Sequence, residues 1–533
     1  MWAENKTLRG VEIMLIVALT SFATWLRFYK LGHLGLWGDE GFTYLAVEGV
    51  LKHGVPILPS GNEYYKDLLF TYLSALPCSF WGMTEGALRS INALCGVILV
   101  PTIYFVGKRY FPAPLAFVGA ALLTLSHWEI EFARQARYYC QLQLFYLLSL
   151  HFFWRGFVER SKPFQKIALV FFFLASLTHQ LAYTLVFCFL IIAILKGPRI
   201  LFYRDPGEKI PRILLFGLLF VLWVGLLEFF ELFFWKAGSV AHFEKDKSVW
   251  KILFENFHWG YFREFYWLFP KMSWIAAIGI FFAFLWRRQE PLSFLVGVGI
   301  ACLLFMGMGH AHLQPRYVFY LYPIFLFAYL SGVYGFFRLG KRICSWVRLS
   351  IFERVVGLAT MLAVLTLSLE AYNPHYSVRI PKFYYGKGLL NKFQISTTMY
   401  RRLDYQTTGQ YVRERATPDD IIVGMHMIYQ YIYAGRCDYW LWSAGENVWD
   451  AIEDVNNKEG KRRDRYLGKP LIRDCAEFEM LLKNSKGRRV WVITTSSVED
   501  KAHIFPEVHE FLKRHSEKVQ YHSPDKISTV YLF

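Results

Sequence analysis

The sequence predicts a polytopic α-helical membrane protein of about eleven transmembrane helices, with a small C-terminal α/β domain on the outer face. Three observations carry this. Of 533 residues, 55% are hydrophobic and 19% aromatic, and the mean hydropathy is +0.26, more apolar surface than a soluble chain needs. Apolar segments long enough to cross a bilayer recur through the first 371 residues. After Glu370 the composition turns polar, and shorter strand and helix patterns take over. The chain therefore divides into a transmembrane part, 1–371, and an extracytoplasmic part, 372–533.

Taken in order, the apolar segments fall at 11–29, 87–107, 113–128, 138–156, 167–195, 211–235, 271–286, 291–309, 316–337 and 353–371. The first is too long for a signal-peptide core and has no clear small-residue cleavage site, so it reads as a retained anchor. The fifth is too long for one span. His179-Gln180 near its middle would be costly in hydrocarbon, and the segment is read as two short helices meeting at the outer face. Charge supports the split. With the N-terminus cytoplasmic, Lys108-Arg109, Arg155 to Lys166, Lys196 to Arg212, Arg287-Arg288 and Arg338 to Arg354 all fall inside, as the positive-inside bias requires. A single crossing would move every later basic cluster outside. The chain is thus a multi-pass protein of the cell (inner) membrane, with its tail periplasmic or extracellular.

Two long connections lie outside, 30–86 and 236–270. In the first, Leu68 to Met83 is semi-apolar and reads as a helix lying at the interface, with a membrane span as the alternative. The second is rich in aromatics and mixed charge, and suits a loop over a site. In the tail, Asp420–His426 and Arg488–Thr495 read as buried strands. Helical patterns follow at 427–434, 474–484 and 502–515, with a terminal strand at Ser528–Phe533.

The net charge of +17 does not point to nucleic acid, because Lys and Arg recur in short clusters between apolar runs and form no binding stripe. None of the eight cysteines has metal-ligand spacing. Six lie in or beside apolar runs, whereas Cys437 and Cys475 in the tail are a candidate disulfide if the tail is outside. No Gly-rich phosphate loop and no internal repeat is visible.

The stretch Lys30-Leu-Gly-His-Leu-Gly-Leu-Trp-Gly-Asp-Glu-Gly-Phe-Thr-Tyr44 follows the first span and places Asp39 and Glu40 where it leaves the membrane. An acid pair in a loop is ordinarily a solvated turn, and charges at helix ends ordinarily anchor the helix. The topology, however, puts Lys66, Glu129, Glu131, Arg134, Arg137, His179, His310, His312 and Arg316 at that same face. Shared sidedness favours a polar cavity. Arg134 and Arg137 precede an outward-starting helix at i, i+3 spacing, and Arg316 follows Pro315 in the first turn of another. Helix N-termini and guanidinium forks suit a phosphate or pyrophosphate at headgroup level. Ion pairs with Glu129 or Glu131, and contact with ordinary lipid headgroups, are the alternatives. His310 and His312, two apart, could share a divalent metal only in an extended segment, and a hydrogen-bonding role is preferred. For His179, packing at a helix turn is preferred.

The pieces Arg27…Lys30-Leu-Gly…Leu36-Trp-Gly-Asp-Glu-Gly-Phe-Thr-Tyr44, Tyr64-Tyr-Lys66, Ala87-Leu-Arg-Ser-Ile-Asn92, Phe132-Ala-Arg-Gln-Ala-Arg-Tyr138 and Pro315-Arg-Tyr317…Pro323 run through the whole membrane part. Together they resemble the integral-membrane glycosyltransferases of the GT-C superfamily, in the protein O-mannosyltransferase and aminoarabinose-transferase branch. The tail resembles the outer-face α/β domains appended to many such enzymes. The resemblance implies a polyprenyl-phosphate-linked sugar as donor, a lipid, glycan or protein acceptor, and transfer on the non-cytoplasmic side, with no cofactor required. Carried over, Asp39 is the general base or orients the nucleophile, supported by Glu40. Lys66, Arg134, Arg137, Arg316 and Tyr317 hold the donor's lipid phosphate, and His179, His310 and His312 contact acceptor or sugar. The chemistry asks for these groups: the acceptor hydroxyl loses a proton as the anomeric carbon is attacked, and fixed cations stabilise the departing phosphate. The aminoarabinose branch tends to carry Lys-Pro-Pro after the first-loop acid, where this chain reads Lys66-Asp67-Leu68. That leaves the role of Lys66 and the nature of the acceptor open. A lipid-linked sugar flippase or transporter is the alternative, and polar groups gathered at one end without a repeat weigh against it. A non-catalytic scaffold presenting the tail is the third reading.

Overall fold

The computed structural model describes residues 6–204, 210–234, 260–285, 290–309, 315–346, 404–441, 452–453, 463–472, 474–485, 487–495 and 506–533, with a few isolated positions between 355 and 366. Among the described residues the apolar runs become helices whose bounds follow the hydropathy pattern closely. The first half contains α1 (Lys6–Phe28), α2 (Glu40–His53), α3 (Leu68–Trp81), α4 (Glu85–Gly107), α5 (Ala113–Leu125), α6 (His127–Ala133) and α7 (Tyr139–Phe153). There follow α8 (Lys162–Thr178), α9 (Phe187–Lys196), α10 (Arg212–Phe234), α11 (Gly260–Leu268), α12 (Pro270–Leu285), α13 (Glu290–Gly309) and α14 (Tyr322–Trp346). Among the described residues, five helices are long and apolar enough to cross a bilayer, or six if α5 and α6 are one span bent by 57°. Gln180–Lys196 and α12 are apolar but shorter. This is a helical membrane fold.

The long fifth segment breaks where its polar pair predicts. His179 caps α8 with extended backbone (φ −168°, ψ 149°), and its ring Nδ1 accepts the Leu181 N–H at 3.1 Å before a 3-10 turn, Gln180–Val186, starts the return. In the first connection α3 buries Phe70, Thr71, Ser74, Ala75 and Cys78 and exposes Tyr72, Leu76, Phe80 and Trp81. Of the second connection, α11 is described and 236–259 lie outside the described residues.

The bundle has two polar ends. Lys108 pairs with Glu12, Arg109 and Arg155 with Glu159, and Lys196 with Glu290, while Arg212 donates to Gln165 at 3.2 Å. These contacts join the starts of α1, α8, α10 and α13 to the ends of α4, α7 and α9. The described basic clusters therefore share one end, as the charge pattern requires. The other end collects the end of α1, the starts of α2, α4 and α7, and the lead-in to α14. Helix α14 begins beside α7, where Gln143 donates to the Phe319 carbonyl at 3.1 Å. It then runs toward the basic end, with Phe327 packed 5.8 Å from Tyr110 and 6.4 Å from Phe111. Glycine lets α12 and α14 touch backbone to backbone: a Cβ on Gly279 would lie 1.8 Å from the Ala328 carbonyl oxygen.

The tail is an α/β domain of α15 (Tyr405–Arg413), β1 (Ile421–Gly424), α16 (Met427–Ala434), β2 (Tyr439–Leu441), β3 (Ile452–Glu453), β4 (Arg463–Asp464), β5 (Leu471–Ile472), α17 (Cys475–Asn484), β6 (Val490–Thr495), α18 (Pro506–Arg514), β7 (Val519–His522) and β8 (Ser528–Leu532). Its main sheet has the order β5-β2-β1-β6-β8-β7. Neighbours from β5 to β6 are parallel, and β8 pairs antiparallel with both β6 and β7. Strands β1 and β6 are buried at every position, because apolar clusters cover both faces of the sheet. Both strands, the helix at 427–434 and the terminal strand lie where the pattern puts them. The disulfide considered above is not formed. Cys437 and Cys475 are free thiols: Cys437 packs with Trp440 and Leu471, whereas Cys475 opens α17 against the cluster of Phe478.

Candidate active site

The acid pair does not sit in a loop. It opens α2, with Asp39 at the N-cap, Glu40 in the first turn, Lys52 and His53 in the last turn, and Gly54 in the left-handed region (φ 78°) beyond it. An acid at the start, basic residues at the end and a terminal glycine are ordinary helix boundary signals. They are visible in the sequence and could have predicted this helix.

Glu40 is buried and fully engaged. Its Oε1 accepts from Arg89 Nε at 2.7 Å and from the Ala136 N–H at 2.7 Å. Its Oε2 accepts from Arg89 Nη2 at 2.8 Å and from the Trp37 N–H at 3.0 Å. Arg89, on α4, also donates to the carbonyls of Leu31, Leu34 and Gly35. One turn further along α4, Asn92 donates to the Phe132 and Gln135 carbonyls and accepts the Cys140 N–H. Two polar side chains on an apolar helix thus hold both loops of the site. Their rarity in such a segment was the available signal for a role.

Arg134 and Arg137 were expected to project from one helix face. Instead α7 starts only at Tyr139, so both lie in the preceding turn and take different directions. Arg134 donates to the carbonyls of Leu26, Arg27, Tyr29 and Lys30, and so closes the C-terminal end of α1. Arg137 reaches the polar centre, with Nη2 3.0 Å from Asp67 Oδ2 and Nη1 donating to Thr43 Oγ1 at 3.3 Å. Burial opposes charge on Arg137, but Asp67, the Tyr64 phenol and Asp39 outweigh it and raise its pKa. Glu129 lies behind, buried in the bundle, accepting from Gln143 Nε2 at 2.6 Å.

Asp39 is half-buried, and Arg316 Nη1 lies 2.5 Å from its Oδ2. Arg316 comes from the 3-10 turn Pro315–Tyr317 ahead of α14, beside the Tyr139 hydroxyl and 5.3 Å from the Tyr317 ring. Asp39–Arg316 and Asp67–Arg137 are therefore adjacent acid–guanidinium couples, with Arg137 within electrostatic reach of both acids. His179 Nε2 is 4.0 Å from Asp67 Oδ1, and its ring stacks on Tyr138 with centroids 4.1 Å apart. Asp67, which the sequence reading passed over, has φ +57°. It forms one wall of a cavity of about 70 Å³ lined also by Lys66, Ser176, His179, Gln180 and Tyr183. Lys66 is exposed at its rim. His310 and His312 lie outside the described residues. Among the described residues no group of three His, Cys, Asp or Glu side chains could hold a metal ion.

Residues 66–224 match the family model described as dolichyl-phosphate-mannose-protein mannosyltransferase. A search of curated proteins finds no significant match. Among solved structures the chain is similar to ArnT from Cupriavidus metallidurans bound to undecaprenyl phosphate, at 15% identity and a TM-score of 0.58, covering 97% of each chain. It is also similar to the archaeal oligosaccharyltransferase AglB from Archaeoglobus fulgidus, in complex with an inhibitory peptide and a dolichol-phosphate. There the identity is 11% and the TM-score 0.55, covering 99% of this chain and 74% of that one. The resemblance to the GT-C superfamily seen in the sequence holds at the level of the fold.

Proposed function

We propose that this chain, which has the fold of the GT-C membrane glycosyltransferases, moves a sugar from a polyprenyl-phosphate-linked donor to a hydroxyl of a lipid, glycan or protein at the outer face of the membrane. The observation that carries the reading is the half-buried Asp39 carboxylate held by Arg316, beside a second guanidinium and a cavity that Asp67 and His179 help to line. In the free protein the guanidinium groups of Arg316 and Arg137 are each matched by an acid. A donor phosphate entering the site takes up the Arg316 donors in place of Asp39. The released carboxylate then accepts the proton of the acceptor hydroxyl as its oxygen attacks the anomeric carbon. The bond between that carbon and the phosphate oxygen breaks, and its electron pair stays on the phosphate. Arg316, Arg137 and Lys66 stabilise the charge that develops there.

Glu40, saturated by Arg89 and two backbone N–H groups, fixes the helix that presents Asp39 and is not itself the base. The cavity at Lys66, Asp67 and His179 takes the sugar or the acceptor hydroxyl. The arrangement also fits eleven crossings with the N-terminus cytoplasmic. Helix α14 runs away from the site end, yet the tail resumes at Asp404 and packs on the site end. The apolar segment 353–371, counted among the eleven crossings, lies largely outside the described residues.

The test is reconstitution of the full chain in proteoliposomes with labelled polyprenyl-phosphate sugars and lipid, glycan and peptide acceptors. Sugar transfer that is lost in Asp39→Asn supports the reading. Movement of the lipid donor between leaflets without transfer to any acceptor refutes it in favour of a flippase.

A further inference from the structure

We infer that the C-terminal domain completes this site: Tyr429 and Tyr433 on α16 are positioning residues that hold the turn carrying Asp39. The inference rests on the role proposed above for Asp39. Helix α16 reads Met-Ile-Tyr-Gln-Tyr-Ile-Tyr-Ala, with tyrosines at 429, 431 and 433. Residues four apart share a helix face, so Tyr429 and Tyr433 point together and Tyr431 points elsewhere.

The contacts follow that geometry. Tyr433 Oη accepts the Leu36 N–H at 2.6 Å and donates to Glu85 Oε1 at 2.9 Å. Tyr429 Oη donates to the Gly38 carbonyl. Leu36 and Gly38 flank Trp37 and lead directly into Asp39, and Gly38 has φ +54°, a conformation that suits glycine. Tyr431 bonds instead to Glu48 Oε2 at 3.0 Å, further along α2. The two clasping rings are fixed from behind. Tyr405 on α15 stacks on Tyr429 with centroids 4.4 Å apart and planes 6° from parallel, and Leu36, Tyr405, Tyr429 and Tyr433 share one apolar cluster.

The approach of the two parts is close. A Cβ on Gly41 would lie 2.8 Å from Ile428 Cγ2, so the first turn of α2 is pressed against α16. The turn before Asp39 is thus fastened on one side by the membrane part, through Arg89 and Glu40, and on the other by two phenols almost four hundred residues away in sequence. A tail that merely rode on the bundle would need no hydrogen bonds to the backbone just ahead of the acid. Buried phenols must be partnered, and here the partners are the turn.

The test uses the full chain with Tyr429→Phe, Tyr433→Phe, the double variant, and Tyr431→Phe as the control from the same helix. Hydrogen–deuterium exchange of the peptide containing Leu36 is measured together with kcat and KM for the lipid donor. In the double variant, which removes both hydrogen bonds to the turn, exchange of that peptide rises and kcat falls about tenfold, while donor KM stays put. Tyr431→Phe changes neither. Unchanged exchange in the double variant overturns the inference, as does faster exchange with an unchanged kcat. If the wild-type chain transfers no sugar, the functional reading falls, and the exchange comparison still decides whether the clasp exists.

Discussion

Replacing Asp39 with asparagine separates the two roles proposed for one carboxylate. It removes the proposed proton acceptor, and it releases Arg316. The side chains of the couple are 27% exposed on Asp39 and 23% on Arg316, at 2.5 Å. Ion pairs exposed to this extent are worth about 1 kcal/mol. In the proposed exchange an entering phosphate displaces that contact, which would hold wild-type affinity for a polyprenyl phosphate down by about the same amount. Asp39→Asn is therefore expected to bind polyprenyl phosphate about fivefold more tightly while transferring sugar at least about a hundredfold more slowly. Titrating polyprenyl phosphate into purified wild type and variant, with tryptophan fluorescence or calorimetry as readout, gives the first number. Initial rates at saturating donor give the second. A variant that binds the phosphate no better than wild type refutes the exchange of partners on Arg316. One that transfers at the wild-type rate refutes the proton-accepting role.

The two cations of the site are expected to behave differently. Arg137→Leu strips a guanidinium from Asp67, which is only 4% exposed, and destabilises the fold by about 3–5 kcal/mol; Arg316→Ala melts near the wild-type temperature and loses donor affinity. Thermal unfolding in detergent distinguishes them. Glu40→Gln breaks a pair whose side chains are both 1% exposed, so it lowers the melting temperature strongly, with a cost of about 3–5 kcal/mol. A stable but inactive Glu40→Gln would instead argue that this acid takes part in the chemistry. In the tail, burial pushes the Asp420 carboxyl up, but Arg489, the Trp491 N–H and Thr417 outweigh it and bring its pKa down to about 2. With an unfolded value of about 3.9, its stabilising effect is fully present above pH 4 and is lost as pH falls through 2. Asp420→Asn should flatten that acid limb in melting experiments, and an unchanged slope would contradict it.

The helices were legible because hydrocarbon allows few solutions: long apolar runs had to be helices, and basic clusters had to share an end. The break at His179 was legible for the same reason, since a polar pair marked it. The strands at 421–424 and 490–495 showed as continuous apolar runs flanked by charge. The division of labour among the charged residues was not legible. Sidedness brought Asp39, Arg134, Arg137 and Arg316 to one end, but their roles depend on partners far off in the chain. Arg134 closes α1 through carbonyls more than one hundred positions earlier. Glu40 is consumed by Arg89, and Asp67 matters only because Arg137 turns toward it. The disulfide failed on the same ground: composition allowed Cys437 and Cys475 to pair, and the sheet put them in different clusters.

The central claim is that the lipid phosphate of the donor is received between Arg316 and Arg137 at the end of the bundle that carries the tail. A structure of the full chain determined with a polyprenyl phosphate tests it most directly. The account predicts phosphate density within hydrogen-bond reach of the Arg316 guanidinium, with the Asp39 carboxylate drawn away from it. Phosphate bound at the opposite end, near Lys108 and Lys196, or an Asp39–Arg316 couple left intact beside a bound lipid, would contradict it.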